Sequence, residues 1–202
     1  GRSVRRRWKG VWGTALRSTW GLVPAWLAGR HSTRGGRPAE GGVQAAVIDS
    51  LFVSDTTRLV VVGDSTVREA TSVVDSDYAL AIRGLAPLPL GLQSDFETKR
   101  DMPERVDRLP TRVPMQRFTS ADRDGMNAHQ GPTGYWNAFF HHYPGSSGYI
   151  EVSRVGFGRD ARSALVHVEY RCGGLCGGTL YVMLAEFAGQ WRVVRVIQPR
   201  VS

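Results

Sequence analysis

Ser163-Ala164-Leu165-Val166-His167-Val168-Glu169-Tyr170-Arg171 is the stretch that decides the fold. Ala164, Val166, Val168 and Tyr170 alternate with Leu165, His167 and Glu169, which is the period of a half-buried strand. Three further strand patterns lie close by, at 149–157, 179–187 and 191–198. Ala188-Gly189-Gln190 reads as a tight turn between the last two. Strands this near one another in sequence pair antiparallel, because a parallel crossover needs more chain. The C-terminal part is therefore an antiparallel meander.

Working outward, residues 43–52 carry apolar side chains at 43, 46, 47 and 51, a helical spacing. Residues 58–62 read as a buried strand closed by the turn Gly63-Asp64-Ser65, 77–85 as a short helix, and 112–119 as a second upstream strand. Between these, 86–111 holds four prolines and is expected to be irregular, while 135–143 is an aromatic-rich helix. The expected fold class is α+β: about four C-terminal strands plus one or two upstream, with helices covering one face of the meander.

Charge divides the chain before it reaches this body. Residues 1–40 contain nine Arg or Lys and one acid, Glu40, whereas the other 162 residues hold 17 basic and 17 acidic groups. The net charge of +8 therefore belongs to an arm and not to the globular part. Four of the six Trp are in the same arm. The organisation expected is a docking arm over 1–28, a basic Gly-rich linker over 29–42 and one domain over 43–202. No uninterrupted apolar run is long enough for a conventional spanning helix.

On a helical wheel Trp8, Val11, Trp12, Ala15, Leu16, Trp20, Leu22, Val23, Trp26 and Leu27 cluster on one side. Gly10, Gly13 and Gly21 each lower helicity by about 1 kcal/mol, and Pro24 ends or kinks the helix. Such a helix needs an external surface to hold it. Arg5, Arg6, Arg7, Lys9 and Arg17 would meet lipid phosphates or partner carboxylates, while Trp8, Trp12, Leu16, Trp20 and Trp26 supply buried anchors. Packing of the arm on its own domain is the plainer alternative. Nucleic acid is disfavoured, because no recognition motif accompanies the charge.

The C-terminal half carries Tyr143-Pro144-Gly145-Ser146-Ser147-Gly148-Tyr149, Ser153-Arg154-Val155-Gly156-Phe157, Cys172-Gly173-Gly174-Leu175-Cys176-Gly177-Gly178 and Gly189-Gln190-Trp191 in that order. With Ala46-Val47-Ile48-Asp49-Ser50-Leu51-Phe52 upstream, residues 43–202 resemble a group of uncharacterised, usually exported bacterial proteins. The resemblance implies a periplasmic or surface setting and no particular activity. In that setting Cys172 and Cys176, four residues apart, would close a small disulfide loop; in a reducing compartment they would remain thiols.

Catalytic signals are weak. Gly63-Asp64-Ser65 after an apolar strand resembles the opening block of the GDSL-type hydrolases, with Ser65 as nucleophile. The Asp-x-x-His of that family has no counterpart here, and Gly125-Met126-Asn127-Ala128 lacks the second acid of its Asn block. A serine without an assignable base is not activated. His141 and His142 are adjacent and point about 100° apart on a helix, which opposes joint ligation of one metal. Trp136, Phe139 and Phe140 read as core. No metal site, cofactor or small-molecule substrate is expected.

The resulting expectation is a non-enzymatic accessory subunit on a bacterial membrane-protein complex, of respiratory or photosynthetic type, peripheral to the membrane on its periplasmic side. Two alternatives stand beside it: an exported serine hydrolase using Ser65, and an RNA-bound subunit with a basic tail.

Overall fold

The computed structural model describes residues 39–67, 72–129 and 131–201. Its elements run α1 (Glu40–Leu51), β1 (Val60–Gly63), α2 (Ser72–Leu85), α3 (Leu92–Lys99), β2 (Met115–Phe118), α4 (Ser120–Asn127), α5 (Gly131–His142), β3 (Tyr149–Val152), β4 (Gly156–Phe157), β5 (Ser163–Gly173), β6 (Cys176–Phe187) and β7 (Gln190–Val201). The fold is α+β. Strands lie in the order β2-β1-β3-β5-β6-β7, with β4 paired to β5.

The meander is present: β3, β5, β6 and β7 pair antiparallel in succession. Ala188 and Gly189 both take positive φ, 52° and 80°, the backbone of a two-residue hairpin turn whose twist matches the strands it joins. Both expected upstream strands also exist, but they join the sheet in parallel. Val61 pairs with Gln116 on one side and Tyr149 on the other. Helical crossovers through α2 to α5 supply the chain length that such pairing requires.

Helices cover both faces, not one. Alternate residues of β1 show why: Val60 and Val62 join a core with Val43, Val47 and Ile48 of α1, whereas Val61 faces Phe118, Phe139 and Tyr149. Further along, Leu165 and Tyr181 meet Ala81 and Leu85 of α2 and Leu92 and Phe96 of α3. A strand with helices on both sides is apolar at every position, as the run at 59–62 is.

Three local expectations are corrected. The linker expected to reach residue 42 stops earlier, because α1 begins at Glu40. The segment 86–111 contains α3, held by Leu92 and Phe96 one helical turn apart, both fully buried. The strand expected over 149–157 is broken at 153–155 into β3 and β4.

That break has a cause. Arg154 leaves the sheet to donate from Nε and a terminal nitrogen to the Glu40 carboxylate, at 2.9 and 3.0 Å, and the Val155 N–H donates to the same group at 2.9 Å. Lys99 Nζ donates to the Val155 carbonyl at 2.7 Å and stands 2.8 Å from Asp95, whose carboxylate accepts the Phe157 N–H. Burial pushes the Glu40 carboxyl upward, but the Arg154 and Val155 hydrogen bonds and the Lys99 charge outweigh it and hold it below its ordinary value. This hub fastens α1, α3 and the β3–β4 connection together. Gly156 completes the join, since a Cβ there would lie 2.5 Å from Phe96 Cβ.

Candidate functional site

Among the described residues, α4 and α5 enclose a cleft lined by titratable side chains. Helix α4 starts at a capping box: Thr119 Oγ1 accepts from the Asp122 N–H at 3.1 Å, and Asp122 accepts from the Thr119 N–H at 2.8 Å. This fixes Asp122 at the cleft mouth. Ala121, Asp122, Gly125 and Met126 form one wall, followed by His129. Gly134, Asn137, Ala138, His141 and His142, spaced by helical turns, form the other. Small residues on both helices leave the space between the walls unfilled, an open volume of about 850 Å³. That volume is within the range of small-molecule sites.

Behind the cleft the aromatic cluster gives α5 a fixed seat. Phe139 is fully buried, edge-on to Phe118 at 5.6 Å and against Tyr149 at 5.7 Å. Trp136 and Phe140 are half-buried beside it and belong to the same cluster. The core role read for these rings holds for all three.

At the mouth, His142 Nε2 is 3.8 Å from an Asp122 oxygen. Burial raises the Asp122 carboxyl, but hydrogen bonds from Thr119 and Tyr143 and the neighbouring His142 bring it below its ordinary value. Burial and the adjoining Asp122 in turn push the Tyr143 hydroxyl far up, so it stays protonated as a donor. The cleft therefore offers one fixed negative charge, a carboxamide at Asn137 and three exposed imidazoles. An imidazole ring can both donate and accept hydrogen bonds. Among the described residues no three His, Cys, Asp or Glu are placed to hold a metal ion.

Sequence reasoning singled out His141 and His142 but missed Asp122, His129 and Asn137. Thr119-x-x-Asp122 was a legible signal for the start of α4. Nothing in the sequence showed that α4 and α5 face each other. Although adjacent histidines diverge, both reach the same cleft because it is wide.

Ser65 lies on the exposed turn after β1. The turn is stitched to the segment 104–106: the Val106 N–H donates to the Asp64 carbonyl at 2.9 Å and the Thr66 N–H to the Glu104 carbonyl at 2.7 Å. Among the described residues no imidazole or carboxylate hydrogen-bonds the Ser65 hydroxyl. Cys172 and Cys176 are paired at disulfide distance, with Cα atoms 5.0 Å apart, across the β5–β6 hairpin end. The docking residues Arg5, Arg6, Arg7, Trp8, Lys9, Trp12, Leu16, Arg17, Trp20 and Trp26 lie outside the described residues. Among the described residues no helix is long and apolar enough to cross a membrane.

The domain is thus of the α+β class, a mixed seven-stranded sheet with helices on both faces. No protein family, curated protein or solved structure matches the chain.

Proposed function

We propose that this protein is a non-enzymatic accessory subunit of a bacterial membrane-protein assembly, peripheral to the membrane on its periplasmic side and docked through residues 1–28. One observation carries the reading: the whole net charge of +8 and four of six Trp fall in the first forty residues, and residues 41–202 have zero net charge. Aromatic anchors ringed by basic side chains suit a protein groove at a membrane surface. Many of the domain's own charges are used internally, as in the Glu40–Arg154–Lys99–Asp95 hub and the Arg123–Glu151 pair. The cysteine pair at disulfide distance supports an oxidising compartment.

The test is migration of the native chain on a sizing column after gentle detergent extraction of membranes. The expected result is elution with one large complex, lost in Trp12→Ala/Trp20→Ala. Two interface Trp anchors at about 2 kcal/mol each would weaken docking by about a thousandfold. Elution of the native chain as a free 22.2 kDa monomer would overturn the reading.

A further inference from the structure

The cleft between α4 and α5 has a length and a polarity as well as a volume. At one end, near the start of α4 and the end of α5, Asp122 faces His142. At the other, the end of α4 closes on the start of α5: a Cβ on Gly134 would lie 3.4 Å from His129 Cβ. Asp122 and His129 are about 10 Å apart along a helix axis, at 1.5 Å per residue. The space is therefore a trough, longer than a metal ion or a lone anion needs.

Of the described residues lining the trough, Asp122 alone carries a fixed charge, and no Lys or Arg stands among them. A carboxylate has about four acceptor positions. The Thr119 N–H and hydroxyl fill two, at 2.8 and 2.7 Å from Oδ2, and the Tyr143 hydroxyl donates to a third. His142 Nε2 stands 3.8 Å from Oδ1, an ion-pair distance too long for a hydrogen bond. One acceptor position thus remains for a donor arriving in the cleft. The His129 and His141 rings and the Asn137 carboxamide add further acceptors, while Met126 and Ala138 make part of the lining apolar.

We propose that the trough binds a small linear amine in its ammonium form, with N–H donors toward Asp122 and its chain lying along the helices. A primary ammonium brings three donors and no acceptor, the complement of this lining. A quaternary ammonium would instead want an aromatic cage, and no Phe, Tyr or Trp is among the described lining residues. The site is independent of docking through residues 1–28, and neither reading depends on the other.

Calorimetric titration of the full chain with hexamethylenediamine tests this. Hexamethonium has the same chain and charge without N–H donors, and hexanediol has the chain without charge. The diamine should bind at least about tenfold more tightly than either. Asp122→Asn should weaken it by about tenfold or more, as loss of a charge-assisted hydrogen bond does. Asp124→Asn removes an exposed acid of the same helix outside the cleft and should change affinity by less than about twofold. Because Asp122 also caps α4, His129→Ala/His141→Ala supplies a second reading with the cap intact, and about fivefold weakening or more is expected. Absence of binding at millimolar diamine, equal affinity for hexamethonium, or equal losses in Asp122→Asn and Asp124→Asn would overturn the proposal. Full affinity in the double histidine variant would overturn it as well.

Discussion

Around Lys99 each charged group meets an opposite charge or a backbone partner; between α4 and α5 three imidazoles face open space. The hub and the cleft are both made of titratable side chains brought in from separate elements. In the hub they satisfy Arg154 and Val155, which leave the sheet, while the Ser153 N–H still donates to the His167 carbonyl of β5. In the cleft, only the Asp122 end is built into the backbone, through the Thr119 capping box. Charge enclosed by partners is part of the scaffold, while a polar side chain left facing a cavity is available to a visitor.

The sharpest way to break this comparison is Lys99→Met, which keeps the stem packing but takes the counter-charge from Asp95 and the donor from the Val155 carbonyl. A loss of about 3 kcal/mol in chemical denaturation is expected, as for removal of one member of a buried ion pair. A loss under about 0.5 kcal/mol would mean that the hub is not structural.

Glu40→Gln is expected to cost about 1–2 kcal/mol, less because the site is partly solvated. Its pH dependence adds a sign. A carboxyl held below its ordinary value of 4.5 stabilises the fold fully above that value and loses the contribution as pH falls through the lowered folded value. The native chain should therefore weaken below pH 4.5 more steeply than Glu40→Gln. Parallel pH–stability curves would remove Glu40 from the account.

The smallest effect belongs to the cleft. His129→Ala/His141→Ala/His142→Ala should change stability by less than about 0.5 kcal/mol, measured by the same unfolding curve, because all three side chains are exposed. A loss comparable with Lys99→Met would show the cleft to be scaffold as well.

What was legible in the sequence follows from range. Alternation in 163–171, 179–187 and 191–198 located β5, β6 and β7, since a strand's period is written in its own residues. Helix α3 was missed because only Leu92 and Phe96 mark its buried side amid flanking prolines. The split at 153–155 was also missed, because it depends on Glu40, more than a hundred residues away. The cleft has the same difficulty: its walls are two separate helices, and their facing each other is a tertiary fact. For the docking residues at 5–26 the sequence remains the whole basis of the reading.

β1 also sets an order of events during synthesis. Its neighbours begin at Met115 and Tyr149, so the strand is translated long before either edge can be covered. The β5–β6–β7 hairpins close over short loops and need no such wait. A nascent chain that stalls before Tyr149 therefore displays Val60-Val61-Val62 with one flank bare, a short sticky template at the open edge of the unfinished sheet.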